Sequence, residues 1–288
     1  MYHKWGDYMQ NNIQLFIENQ QSEGLIEITI SKYVSDIKQF YRFVKLKEDK
    51  EIEELSQQEI KVQFDNYIKH LEKEKYKPST INGKISIINK YLKVLGVECR
   101  HNYLKVQKKL YIENVITEGE YSRLLEQCKG NKRDELIIKT LANTGLRVSE
   151  LLSLAIHDVD KEDIHVKGKG GKYREIILPP QLREMLKAYI KDYRKNTDRE
   201  KLFTGTRGAL TRDAINKMLS KYAKKGHVKK VKAHPHSCRH FFGKRLAQNG
   251  ESLDMIKTYL GHESITTTSI YTQRSKEELE RSLGRNFI

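Results

Sequence analysis

Residues 164–178 read Ile-His-Val-Lys-Gly-Lys-Gly-Gly-Lys-Tyr-Arg-Glu-Ile-Ile-Leu, and here the hydrophobic period of the chain changes. Ile164 and Val166 lie before Gly168-Lys169-Gly170-Gly171-Lys172, and Tyr173 with Ile176 to Leu178 lies after it. Apolar runs of this kind around glycines predict a β-hairpin with a basic tip. On either side the pattern is helical. Upstream, Leu124, Leu125, Ile137, Ile138 and Leu141 form helical stripes as far as Asn143-Thr144-Gly145, and Val148 to Leu154 resume the pattern. Downstream, helices return after Pro179-Pro180 and continue to the end. Residues 117–288 are therefore expected to be a mostly helical α+β domain with one small antiparallel sheet. Thr117 and Glu120, spaced as a capping box, open it.

The first hundred residues show no change of period. Four stripes recur every three to four residues: Met9, Ile13, Phe16 and Ile17; Tyr33, Ile37, Phe40, Tyr41 and Val44; Ile60, Phe64, Ile68 and Leu71; Ile81, Ile85, Ile88, Leu92 and Leu95. Ser56 with Glu59 caps the third helix, Pro78-Ser79-Thr80 opens the fourth, and Gly96 closes it. This predicts an all-helical module over residues 1–97. Residues 98–116 have mixed polarity and no clean period, and are the expected linker. A chain of 288 residues suits two domains at about 150 residues each. The fold class is thus mainly α.

Charge narrows the partners. Lys and Arg number 54 against 38 Asp and Glu, a net charge of +16, with a pI near 9.5 and a mean hydropathy of −0.71. Residues 201–250 hold thirteen Lys and Arg against the single acid Asp213, so they carry +12 of that total. A merely solvated face mixes both signs, so this segment predicts contact with nucleic-acid phosphates. Arg212, Lys217, Lys221, Lys224 and Lys225, on the predicted helix around 211–225, are the expected DNA contacts. A membrane-surface helix would want aromatic residues opposite the charges, and the only tryptophan is Trp5. No run approaches the roughly 18 apolar residues of a transmembrane helix, and the first residues lack the pattern of a signal peptide. The expectation is a cytoplasmic protein. Three widely spaced cysteines, Cys99, Cys128 and Cys238, fit a reducing compartment and not a disulfide framework.

Four short stretches carry chemistry: Thr144-Gly145-Leu146-Arg147-Val148-Ser149-Glu150, Gly168-Lys169-Gly170, His236-Ser237-Cys238-Arg239-His240, and Leu260-Gly261-His262 with Tyr271 nine residues on. A phosphodiester under attack gains charge on its non-bridging oxygens, which two guanidinium forks hold in a way lysine does not. Arg147 and Arg239 are the candidates. Glu150, one helical turn from Arg147, is placed to orient it. His236 and Arg239 share a helix face if Pro235 opens a helix. Tyr271 is the candidate nucleophile, although only its spacing from Leu260-Gly261-His262 singles it out from sixteen tyrosines. Its ordinary pKa of about 10 leaves little phenolate at neutral pH, so cations or a base must assist. His236 is the candidate base, and the acid on religation.

Rival chemistries fare worse. A nucleotide phosphate loop needs a helix after its glycines, whereas here a strand follows. His234, His236, Cys238 and His240 lack the paired second cluster of a structural zinc site, so no metal and no cofactor is expected.

Taken together and in this order, the four stretches resemble the tyrosine recombinase (phage integrase) family, most closely its short Xer-like members. The resemblance extends over nearly the whole chain, because residues 1–97 look like that family's core-binding domain. It implies a site-specific DNA recombinase that cuts and rejoins strands through a 3′-phosphotyrosyl bond at Tyr271. It also implies roles for Arg147, Arg239, His236 and His262 around the phosphate and for Lys169 as acid to the leaving 5′-oxygen, with Glu150, Lys172 and His240 in support. A tetramer on two DNA sites, joined through the C-terminal helix with Leu279, Leu283 and Phe287, is a further implication. Two departures stand out: Cys238 where leucine is usual, and Phe241-Phe242-Gly243 where a small residue followed by threonine is common. The alternatives are topoisomerase IB-like cleavage and religation, or a DNA-binding accessory protein without turnover.

Overall fold

The computed structural model describes residues 5–48, 52–107, 111–168, 173–195, 198, 200–262, 268–274 and 276–285. Its contacts divide the chain into two units, Met1–Lys108 and Lys109–Ile288.

The first unit is built of α1 (Trp5–Ser22), α2 (Glu27–Glu48), α3 (Gln57–Lys73) and α4 (Pro78–Val94). Ile13, Phe16, Ile37, Phe40, Phe64, Ile68, Ile85, Ile88 and Leu92 bury the expected stripes in one core. Ser56 Oγ accepts from the Glu59 amide at 3.3 Å while the Glu59 carboxylate accepts from the Ser56 amide at 2.7 Å, completing the capping box. Pro78 stands at the start of α4, where its missing N–H costs nothing.

The expected linker is not free chain along its described length. Asn89 accepts from the His101 amide and donates to the His101 carbonyl, each at 2.9 Å. Asn82, two turns earlier on α4, grips Leu104 in the same way at 2.7 and 3.0 Å. Two asparagines at i and i+7 thus fasten an irregular segment to a helix as a neighbouring strand would. Beyond residue 110, Ile112, Val115 and Ile116 are buried in the second unit's core.

The second unit runs α5 (Glu118–Gln127), α6 (Lys132–Thr144), α7 (Val148–Ser153), β1 (Ile164–Lys167), β2 (Tyr173–Ile176), α8 (Pro180–Asp192), β3 (Thr204–Gly205), β4 (Gly208–Ala209), α9 (Arg212–Lys225), α10 (Pro235–Gln248) and α11 (Leu253–Leu260). A 3₁₀ turn at Ser269–Thr272 and a C-terminal helix, Lys276–Arg285, follow. Strands β1 and β2 pair antiparallel, Ile164 opposite Ile176 and Val166 opposite Arg174. One small sheet was expected; β3 and β4 form a second two-stranded one. Strands of two residues are too short for alternation to register in a sequence.

Helix α6 stops where expected, with Gly145 in the left-handed region at φ 60°. Pro235 opens α10 behind His234, whose Nδ1 accepts from the Ser237 amide at 3.1 Å. α11 begins at the Ser252 cap and ends on Gly261. Among the described residues no helix is long and apolar enough to cross a membrane.

Candidate active site

The site is assembled from helix ends. Arg147 is the N-cap of α7. Its Nη1 lies 2.7 Å from Glu150 Oε1, and its backbone amide lies 2.8 Å from Glu150 Oε2. The expected one-turn orienting pair is present, with Glu150 fully buried and Arg147 half-buried. Arg239, the fifth residue of α10, is 1% exposed. Its Nη1 donates to the Gly145 carbonyl at 2.7 Å and its Nη2 to the Leu260 carbonyl, so the break after α6 and the end of α11 hold it between them. Among the described residues no carboxylate forms an ion pair with it.

Tyr271 lies on the 3₁₀ turn and is 2% exposed. Its ring is seated on Gly243 of α10, where a Cβ would fall 2.7 Å from two ring carbons. The departure Phe241-Phe242-Gly243 therefore bears directly on the tyrosine. His262 stacks on the same ring at 6.0 Å between centroids, and its Nδ1 is 3.0 Å from Thr268 Oγ1. His240 lies 5.6 Å from the Tyr271 ring and 4.2 Å from that of His236. The Tyr271 hydroxyl and His240 Nδ1 are buried without a hydrogen-bond partner among the described residues. The segment after residue 110 braces this end of the unit: the Ile112 amide donates to the Arg274 carbonyl at 3.0 Å, and Ser237 Oγ donates to the Asn114 carbonyl.

Electrostatics follow from burial and from the excess of cations. Burial pushes the Tyr271 phenol up to about 12, against the opposing pull of Arg239 and Arg147. Desolvation, then the Arg147 and Arg174 charges, lower Arg239 to about 10, still cationic at neutral pH. Burial and then Arg239 and Arg147 lower His262 to about 4; burial, His236 and Arg239 lower His240 to about 3. His236 moves the same way through desolvation, Arg239, His234 and Arg147, although it is exposed and solvent screens part of that shift. All three imidazoles are therefore neutral near pH 7. Burial acts to raise the Glu150 carboxyl, but Arg174 and then Arg147 hold it below the usual carboxylate value.

Arg147, Glu150, His236, Arg239, His240, His262 and Tyr271 are thus brought together. Lys169 and Lys172 lie outside the described residues. Arg212, Lys217, Lys221, Lys224 and Lys225 sit exposed on α9, with Lys217 paired to Asp213 at 2.7 Å. The +12 of residues 201–250 is not all on the surface: Lys232 is buried against Glu120 at 2.9 Å, and Arg239 and Lys244 are buried too. The sequence reading missed Arg174, which reaches Glu150 from β2 at 2.7 Å. The available signal was its register opposite the inward-facing Val166. Cys238, 0% exposed with its thiol pushed up to about 12 by burial, is a packing residue. Among the described residues no group of three or more His, Cys, Asp or Glu is placed to hold a metal.

The Phage integrase family profile matches residues 114–278, and that of the phage integrase N-terminal SAM-like domain matches residues 13–98. Tyrosine recombinase XerC of Bacillus subtilis (strain 168) is 30% identical over 295 residues, covering 95% of this chain and 95% of its own. A tyrosine recombinase of Pseudothermotoga lettingae is 31% identical over 258 residues, covering 86% and 87%. Among solved structures, the Tn1549 transposon integrase in complex with transposon right end DNA shares the fold with a TM-score of 0.69 at 18% identity, covering 96% of this chain and 99% of that one.

Proposed function

The chain belongs to the phage integrase family and is a tyrosine-type site-specific DNA recombinase, and from that premise we propose that Tyr271 is its nucleophile, held beside a phosphate cradle made by Arg147 and Arg239. The observation that carries this reading is the buried Tyr271 hydroxyl, on which both guanidiniums act, on a ring that His262 stacks against and His240 meets at a tilt.

Tyr271 Oη attacks phosphorus in duplex DNA, a phosphorus–phenolate oxygen bond forms, and the bond to the 5′-oxygen breaks. The phenolic proton passes to an imidazole. His236 takes that part, relayed through His240, which touches both rings. Lys169 gives a proton to the leaving 5′-oxygen. Arg147 and Arg239 stabilise the charge that grows on the non-bridging oxygens, and His262 donates a further hydrogen bond to them. The 3′-phosphotyrosyl link conserves the ester, so a partner 5′-hydroxyl reseals it by the reverse steps and no nucleotide cofactor is required.

Residues 1–97 and 117–288, joined by 98–116, act as core-binding and catalytic domains that contact duplex DNA. The α9 face of Arg212, Lys217, Lys221, Lys224 and Lys225 supplies phosphate contacts. Four subunits assemble on two sites through the C-terminal helix, a reading supported by Leu283, which is left 62% exposed. Glu278 of that helix pairs with Lys244 of its own α10, which subunit exchange would have to release. A crosslink between the helix and a second subunit, formed only on DNA, is the expected result. The protein acts in the cytoplasm.

A nicked suicide duplex, from which the cleaved end diffuses away, tests turnover: covalent adducts are expected from the wild type. Strand exchange between two sites is expected as well. Relaxation of supercoils without exchange would favour a topoisomerase, and binding without adducts an accessory protein.

A further inference from the structure

Three consecutive carbonyls at the end of α11 each accept from a different arginine. Arg174 donates to Tyr259, Arg239 to Leu260, and Arg147 to Gly261 at 3.2 Å. A helix C-terminus leaves its last carbonyls without intrahelical partners and carries partial negative charge, so three guanidiniums gathered there hold one another's geometry. Two belong to the phosphate cradle. The third, from β2, has no part in it yet.

Arg174 is 9% exposed, and each of its three guanidinium nitrogens is committed inward. Nη2 lies 2.7 Å and Nε 3.4 Å from the Glu150 oxygens, and Nη1 bonds the Tyr259 carbonyl. The same Glu150 carboxylate holds Arg147 at 2.7 Å. The stem of Arg174 lies on Gly261, at φ 62°, where a Cβ would come 2.7 Å from its Cδ. That glycine precedes His262 and gives its carbonyl to Arg147. Arg174 therefore touches both supports of Arg147.

We propose that Arg174 is a positioning residue for strand cleavage: by bridging Glu150 to the end of α11 it fixes the Arg147 guanidinium against the scissile phosphate and ties the β1–β2 hairpin to that cluster. This rests on the recombinase reading of Tyr271.

The test is R174K, which keeps the charge but has a single nitrogen in place of the fork that spans Glu150 and Tyr259. Adduct formation is followed in single turnover on the nicked duplex, once with the ordinary phosphate and once with a neutral methylphosphonate at the scissile position. A misplaced Arg147 is expected to slow cleavage of the phosphate about 10- to 100-fold, with duplex affinity within about twofold of wild type. On the methylphosphonate, where less charge must be stabilised, the defect is expected to shrink to about twofold or less. R147K combined with R174K is expected to be no slower than R147K alone. Arg174→Gln, which keeps a donor for Tyr259 without the charge, is expected to show at least the same loss and the same substrate dependence. Wild-type rates for R174K on the phosphate would overturn the proposal. So would an equal loss on both substrates, which marks a merely structural role, or a double variant slower by the product of the two losses. Absence of any wild-type adduct would instead overturn the Tyr271 reading beneath it.

Discussion

Helix α9 and the α7–α10–α11 junction both concentrate positive charge, and they hold it in opposite ways. On α9, Arg212, Lys217, Lys221, Lys224 and Lys225 stand in solvent. Exposed charges of this kind are screened within about 10 Å at ordinary salt and are suited to releasing counterions from a polyanion. At the junction, Arg239 is buried, Arg174 nearly so and Arg147 half so, with Glu150 as the carboxylate that Arg147 and Arg174 share. Their fixed forks are set before any substrate arrives, which is what stabilising a transition state requires. On the proposed function, positive charge serves affinity on α9, mostly through lysines, and rate at the junction, through arginines, and burial separates the two.

The largest effect separates chemistry from both sets of charges. Tyr271→Phe is expected to abolish adducts on nicked duplex while leaving affinity within about twofold, measured by gel shift and denaturing electrophoresis. Next, Arg239→Lys keeps the charge but loses the fork between Gly145 and Leu260. Cleavage by the bound complex is expected to fall about 10²- to 10³-fold with little change in binding. The converse change, Lys221, Lys224 and Lys225 all to Gln, should weaken binding and flatten the log–log salt dependence by about three units, with the cleavage rate at saturation unchanged. If this triple variant cleaved slowly when saturated, or if Arg239→Lys mainly lost affinity, the division between the two regions would fail.

The smallest expected effect concerns pH. His262 and His240 have folded pKa values near 4 and 3, below the ordinary 6.5. As pH falls, the unfolded chain takes up protons first, so the stability these neutral imidazoles contribute is present above about pH 6.5 and is lost between there and pH 3–4. The melting temperature is expected to drop over that range by several degrees, and by less in His240→Gln and His262→Gln. An equal drop in all three proteins would contradict it.

Much of this was legible because local rules suffice for helix ends. The Ser56–Glu59 and Thr117–Glu120 boxes, Pro235 opening α10 and Gly261 after α11 are each decided within four residues. The hairpin announced itself through a change of period. What escaped the sequence depends on distant partners. Arg174 reads as an ordinary strand arginine until β2 is set against Glu150 and α11. Lys232 counted as surface charge until Glu120, more than a hundred residues away, proved to be its buried partner. The grip of Asn82 and Asn89 on residues 101–104 has no signature, because an asparagine that clamps backbone looks like any polar helix residue.

The most direct measurement is to trap the wild-type protein on a nicked duplex, digest the covalent complex and identify the modified residue by mass spectrometry. The account predicts a 3′-linked nucleotide on Tyr271 and on none of the other tyrosines. A nucleotide on any other residue, or an adduct that persists in Tyr271→Phe, would contradict it.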